Sequence, residues 1–171
     1  MKRSLLIVLT ACALAAGCDD DNSIAPTNAP LVFSAQLSPA NENPPVANAE
    51  SGGRGAAQIT FDVSRDSSNG ITAATATFHF QVAGFPGTSV VGAHIHVGAP
   101  SVNGPIVVNT AVSAAAPVTT ADGTGTFNVS GIPVAPALMQ SIIDNPAGYY
   151  FNVHSPLNPG GFARGQLTRV Q

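Results

Sequence analysis

The chain is poor in charged residues, and basic residues are scarcer than acidic ones. Asp and Glu together number 9, and Lys and Arg number 6, among 171 residues. Beyond Lys2 and Arg3 the sequence has no lysine, and its basic residues are Arg54, Arg65, Arg164 and Arg169. The whole sequence has a formal net charge of −3, and without residues 1–17, which contain Lys2 and Arg3, the four arginines and 9 acidic residues give 4 − 9 = −5. Nucleic-acid phosphates need basic neutralisation, so this composition excludes nucleic-acid binding.

Motifs of several enzyme classes are also absent. The sequence has no Gly-X-Ser-X-Gly nucleophile elbow and no glycine-rich phosphate-binding loop. Ser155 directly follows His154, so in a strand the two side chains project from opposite faces and form no nucleophile–base pair. Most carboxylates fall in predicted turns or on solvated strand faces: Glu42, Glu50, Asp62, Asp66, Asp122 and Asp144. We therefore predict a protein that is not an enzyme.

The N-terminal segment has the composition of a targeting sequence. A basic start is followed by an apolar run from Leu5 to Ala16, which is too short to span a bilayer. This pattern predicts a signal peptide over residues 1–17.

Cysteine is nearly absent, with Cys12 and Cys18 as its two occurrences. The segment LAAGC at 14–18 resembles the lipobox of bacterial lipoproteins. That resemblance implies cleavage before Cys18 and lipidation of Cys18; the alternative is an ordinary signal peptide with a chance cysteine. With Cys12 removed and Cys18 lipidated, no disulfide forms within the mature chain.

The remaining chain divides into a tether and one domain. Residues 18–30 begin at the lipid anchor, contain Asp19-Asp20-Asp21 and two prolines, and have the composition of an acidic flexible tether. Residues 31–171 are enough for one domain with its own core.

Periodicity in that domain is that of β-structure. Apolar residues alternate with polar ones in residues 55–63 and 71–82, and turn residues separate the runs. The exception is Val134–Asp144, where apolar residues recur at helical spacing between Pro136 and Asn145-Pro146. We predict an all-β fold, a Greek-key β-sandwich or flattened barrel, with one short helix.

Three groups of residues, in series, resemble the chordin-type (CHRD) domain. They are FSAQL at 33–37 with ANENPPV at 40–46, AHIHVG at 93–98 with VNGPIVV at 102–108, and YFNVHS at 150–155 with PGGFARGQL at 159–167. The family commonly has Glu where this chain has Phe162. Polar and glycine positions in these stretches are predicted to form structural motifs: Glu42, Asn103, Gly104, Asn152, Arg164 and Gln166. Among them, Glu42 and Arg164 are predicted to form a partly buried ion pair; the alternative is a functional anion site, for which Arg164 would have to be open.

The resemblance implies a fold and a broad role. CHRD domains occur in extracellular proteins beside modules that bind growth factors, and bacterial copies are secreted or lipid-anchored. The fold is distantly similar in outline to copper/zinc superoxide dismutase, which also carries a His-X-His pair on a strand. We find neither the zinc-binding carboxylate near these motifs nor the disulfide of that enzyme, so dismutase activity is not expected.

The histidines are the candidate metal ligands. His94 and His96 share one face of a predicted strand, and His154 shares a face with Tyr150 and Asn152 on another. If those strands pair, three imidazoles converge on a copper or zinc ion, with His79 a possible fourth ligand. The alternative is structural, because histidines beside Asn103-Gly104-Pro105 and Pro159-Gly160-Gly161 can donate to backbone carbonyls and fix those turns.

The sequence thus predicts a non-catalytic, lipid-anchored binding module of the bacterial cell envelope, on the periplasmic face or the cell surface. Its partner is the membrane through the N-terminal lipid and an unidentified protein or glycan. One alternative is an envelope protein that binds copper or zinc, and another is a purely structural envelope component.

Overall fold

A computed structural model describes residues 28–86 and 89–171. The predicted signal peptide, Cys18 and most of the predicted tether lie outside these residues. Within the described ranges, no helix has both the length and the apolar character needed to cross a membrane.

Antiparallel strands dominate the described residues, as the sequence predicts. One α-helix, α1 (Pro136–Asp144), and two short 3-10 helices, Pro39–Asn41 and Pro146–Gly148, interrupt them. The strands are β1 (Leu31–Leu37), β2 (Arg54–Arg65), β3 (Ile71–Ala83), β4 (Ser89–Val90), β5 (Gly92–Val97), β6 (Ile106–Asn109), β7 (Val118–Thr119), β8 (Gly125–Val134), β9 (Tyr149–His154), β10 (Ala163–Gln166) and β11 (Thr168–Arg169).

The strands form two main sheets. The first has the order β11-β1-β2-β3-β8, the second has the order β10-β9-β5-β6, and β4 and β7 pair separately. The chain leaves the first sheet after β3, forms β5 and β6 in the second, and returns to pair β8 with β3. An isolated bridge between Ser38 and Arg164 links the end of β1 to β10 at one edge, but the described strands do not close into a barrel, so the sandwich is the architecture present.

The first sheet is built around the long β2–β3 hairpin. The register pairs Ile59 with Phe78, so apolar residues of both strands face inward. At the turn, the Asp66 carboxylate accepts hydrogen bonds from the backbone N–H of Ser68 and Gly70, and Asn69 adopts a positive φ of 65°. This turn fixes the hairpin register.

The core lies between the sheets and is rich in phenylalanine. Phe151 of the second sheet packs against Phe78 and Phe80 of the first, with ring centroids 5.6 and 5.2 Å apart. The helix α1 adds Met139 and Ile142, both fully buried. Burial of each such side chain contributes about 1.5–3 kcal/mol. One face of the second sheet is therefore packed against the core, and its opposite face carries polar residues.

Phe162 is part of this core. Its side chain is 0% exposed, and its ring packs edge-on against Phe85 with centroids 4.3 Å apart. Phe162 therefore adds apolar packing just before β10.

Candidate functional site: a histidine cluster on the second sheet

The second sheet presents a continuous polar face on the side away from the core. The strand register places His94, Asn152 and Arg164 in one row across β5, β9 and β10. His96, Tyr150 and Gln166 form the next row, and His154 lies opposite Gly92. Because side chains alternate along a strand, all of these residues share one face while Ala93, Ile95, Phe151 and Val153 point into the core. We call this surface the polar face.

Three histidines converge on the polar face. The ring centroids of His94 and His154 lie 4.9 Å apart, those of His94 and His96 lie 5.8 Å apart, and those of His96 and His154 lie 5.9 Å apart. One ring nitrogen from each histidine can be chosen so that the three lie within 4.8 Å of one another. Nitrogen–metal bonds of about 2.0–2.1 Å place coordinating nitrogens roughly 3.3–3.5 Å apart, so small side-chain rotations would bring the three rings onto one ion.

Backbone carbonyls fix the tautomers of two of these rings. Nδ1 of His96 lies 2.9 Å from the carbonyl oxygen of Gly104, and Nδ1 of His154 lies 3.0 Å from that of Pro159. A carbonyl oxygen only accepts, so each Nδ1 is the protonated, donating nitrogen. Each Nε2 of His96 and His154 therefore carries a lone pair, as a metal ligand must.

The other nitrogens of the cluster are buried without a partner. Among the described residues, Nδ1 of His94 and Nε2 of His96 and His154 are buried and take part in no hydrogen bond. An unsatisfied buried polar atom costs about 1–3 kcal/mol. Three such atoms, one on each ring of a single cluster, are the expected arrangement of a ligand site before the ligand is added.

Burial keeps the imidazoles neutral near pH 7. Desolvation, with smaller contributions from His154 and His96, lowers the pKa of His94 from 6.5 to about 4. Desolvation also lowers the pKa of His96 and of His154, against the opposing effect of their backbone hydrogen bonds. Neutral imidazole is the form that binds a metal, so protons do not compete strongly for these nitrogens at neutral pH.

His79 is not part of this cluster, which corrects the suggestion that it could supply a fourth ligand. It lies on β3 of the other sheet, with an exposed side chain. Its Nδ1 lies 2.6 Å from the side-chain oxygen of Asn128 on the neighbouring strand. The polar strand face that suggested His79 is the solvent-facing side of the first sheet.

The predicted ion pair between Glu42 and Arg164 is not a direct one. The Arg164 guanidinium donates instead to backbone carbonyls and to the side chains of Asn103 and Gln166. Oε1 of Glu42 is buried and, among the described residues, accepts no hydrogen bond. Burial raises the pKa of Glu42 from 4.5 to about 7, although the charge of Arg164 acts in the opposite direction.

Glu42 and Asn152 lie close together over the edge of the polar face. A side chain added at Gly161 would come within 2.9 Å of Glu42 Oε1 and 2.7 Å of Asn152 Oδ1. Asn152 Oδ1 and Arg164 Nε are likewise buried without a partner in the described chain. Of the seven such side-chain atoms there, six therefore lie on or against the polar face.

The sequence did not indicate a second buried network beside His154. Glu50 is buried, not solvated, and its carboxylate accepts hydrogen bonds from the Ser155 hydroxyl at 2.7 Å and from the Asn158 side chain. The Ser155 oxygen in turn accepts from the backbone N–H of Asn158. These bonds hold the turn that supplies the Pro159 carbonyl to His154. A lone Glu before a Ser-Gly-Gly turn carries no sequence signal of such burial.

Comparison with known proteins gives one result. The family model of the CHRD domain matches residues 33–167. Comparisons with curated proteins and with solved structures find no match. The matched range contains all three histidines of the cluster, Arg164 and both sheets apart from the first two residues of β1 and the short β11. The chain therefore belongs to the CHRD domain family, whose members are in general binding domains and not enzymes.

Proposed function

We propose that this CHRD domain is a non-catalytic binding module, carried on an N-terminal lipid anchor at the bacterial cell envelope, and that its ligand is a copper or zinc ion. His94, His96 and His154 are the protein ligands. The observation that carries the proposal is the set of three ring nitrogens, one on each histidine, that are buried without partners on a single polar face.

The chemistry of the donor set supports these two metals. Imidazole nitrogen suits zinc and copper, whereas magnesium and calcium prefer oxygen ligands. The hydrogen bonds from Nδ1 of His96 and His154 to backbone carbonyls are the outer contacts that metal-bound histidines usually make. Three protein ligands leave a further coordination position for water or another small ligand.

Metal titration tests the proposal directly. We would purify the full-length chain in mild detergent without a histidine tag, and measure Cu(II) and Zn(II) binding by competition with a chromophoric chelator. The wild type is expected to bind near one equivalent of metal, and His94→Ala/His96→Ala is expected to lose that binding. His79→Ala is the matched control, since it removes an exposed histidine that lies outside the cluster.

Two outcomes would count against the metal. One is a wild type without saturable binding, and the other is a double variant that binds as well as the wild type. In either case the histidines would serve to hold their turns, and the search would move to protein or glycan partners.

The anchor needs a separate experiment. The lipobox-like segment ending at Cys18 supports lipidation, and the following acidic, proline-containing residues support a tether. Metabolic labelling with a palmitate analogue should mark the wild type and leave Cys18→Ala unmarked. Label in both proteins, or in neither, would refute lipidation at Cys18.

A further inference from the structure

We propose that Arg164 is the positioning residue of the histidine cluster. Its guanidinium holds the 98–105 loop, so that the Gly104 carbonyl fixes the His96 ring with Nε2 free for a ligand. The expected effect of Arg164 on metal affinity rests on the proposed function, whereas its expected effect on the His96 ring does not.

Arg164 is the largest fully buried side chain of the described residues, with 1% exposure. The terminal nitrogen Nη1 donates to the carbonyl of Val102 at 3.3 Å and to Oδ1 of Asn103 at 3.1 Å. The second terminal nitrogen, Nη2, donates to the carbonyls of Ala99 at 3.2 Å and Val102 at 3.3 Å. One side chain of β10 thus binds three residues of a loop that lies more than sixty positions earlier in the chain.

The far end of this loop reaches the cluster. Gly104 follows Asn103 directly, and its carbonyl is the acceptor for Nδ1 of His96. Gly104 fits tightly, because an added Cβ would lie 1.6 Å from the carbonyl oxygen of Val97. A loop released by Arg164 would move this carbonyl, and the His96 ring would lose the contact that selects its tautomer.

Tyr150 provides a second connection between the same residues. The Arg164 guanidinium carbon lies 3.5 Å from the centre of the Tyr150 ring. The His96 imidazole stacks on that ring with centroids 4.9 Å apart and planes 8° apart. The Tyr150 hydroxyl accepts a hydrogen bond from the backbone N–H of Gly104 at 3.2 Å. Arg164 therefore restrains both the ring on which His96 stacks and the carbonyl that binds it.

This role needs the planar fork of arginine. Guanidinium nitrogens donate in fixed directions and stack on aromatic rings, whereas a lysine ammonium is a compact point charge on a flexible stem. Arg164→Lys keeps the charge and removes the directed contacts. Arg169→Lys on β11 makes the same chemical change at an exposed position and is the control.

The test measures the tautomer and the metal affinity separately. In the metal-free full-length chain, long-range proton–nitrogen correlation spectra should assign one tautomer of His96, protonated at Nδ1, in the wild type and in Arg169→Lys. In Arg164→Lys the His96 signals should change to a mixture of tautomers, and Cu(II) or Zn(II) affinity should fall about 10–100-fold, the usual effect of losing an outer contact. Asn103→Ala removes one acceptor of the guanidinium at an exposed residue, and should shift the tautomer ratio in the same direction with a smaller loss of affinity.

The results separate the two proposals. A wild type that binds no metal would refute the proposed function, and the His96 spectra would still decide the role of Arg164. An unchanged single tautomer in Arg164→Lys, with metal affinity within about twofold of wild type, would overturn the inference. If Arg164→Lys does not fold, an unchanged tautomer in Asn103→Ala overturns it instead.

Discussion

Glu42→Gln should make the protein more stable, and increasingly so as the pH rises from 5 to 7. The Glu42 side chain is only 7% exposed, and its burial raises the pKa from 4.5 to about 7. A carboxyl group whose pKa is raised in the folded state carries no charge penalty at low pH, where it is protonated in both states. As the pH rises through the unfolded and then the folded pKa, the unfolded state loses its proton first, and the folded state becomes less stable relative to it. Glutamine has nearly the same shape and never ionises.

The size of the effect follows from the two pKa values. Each pKa unit corresponds to about 1.36 kcal/mol, so the full shift is worth roughly 3 kcal/mol above pH 8. Integrated over pH, the penalty for ionised Glu42 is about 1 kcal/mol at pH 5 and about 3 kcal/mol at pH 7. The stability difference between Glu42→Gln and wild type should therefore change by about 2 kcal/mol over this range. Any constant gain or loss from the new amide cancels in the change.

Urea unfolding of both proteins at half-unit pH steps, followed by circular dichroism and tyrosine fluorescence, measures this slope. Asp62→Asn removes one acidic residue from an exposed position and supplies the baseline for a change in net charge. A difference that stays flat would mean that the Glu42 carboxyl is hydrated in solution. A slope of the opposite sign would mean that Glu42 forms a direct ion pair with Arg164, which lowers its pKa, and would restore the pairing expected from the sequence.

Three other substitutions test the packing and the cluster. Phe162→Ala should cost about 3–5 kcal/mol, the usual range for a buried aromatic, and urea midpoints check this; a loss below about 1 kcal/mol would place Phe162 outside the core. Gly104→Ala should displace the 98–105 loop and abolish metal binding, since its Cβ overlaps the Val97 carbonyl; wild-type metal affinity would contradict this close approach of Gly104 to Val97. The pKa of His94 is lowered in the folded state, so the unfolded state takes up a proton first as the pH falls from 6.5 towards 4. The metal-free protein should therefore lose stability over this interval. His94→Gln should lose less stability over the same interval, and equal losses of stability in the two proteins would refute the lowered pKa of His94.

Much of the fold could be predicted because most of its signals are local. Period-two alternation placed β2 and β3 within a few residues of their bounds, and the prolines flanking α1 marked its ends. Alternation also predicts one last strand over 165–170, and this prediction is wrong as a single unit. The chain breaks at Leu167, which is buried and donates to the Tyr149 carbonyl, so β10 pairs with β9 while β11 pairs with β1 in the other sheet. A switch between sheets depends on which strands are neighbours, and alternation contains no such information.

The same limit explains the successes and errors at the site. The shared face of His94 and His96 follows from strand geometry alone. Their approach to His154 depends on the pairing of β5 with β9, which the sequence left open as a condition. His79 has an equally polar strand context, yet it lies in the sheet that does not contain the cluster.

The two interpretations of the histidines that the sequence left open are compatible in the structure. The structural interpretation expected imidazoles to donate to carbonyls of the adjoining Gly-Pro turns, and Nδ1 of His96 and of His154 lie within hydrogen-bonding distance of such carbonyls. The metal interpretation needs lone pairs that point to one place, and Nε2 of the same two rings is buried without a partner among the described residues. A histidine has two nitrogens, so fixing a turn with one orients the other. The hydrogen bonds that stabilise the turns are therefore no argument against a metal site, because they supply the ring orientation that such a site requires.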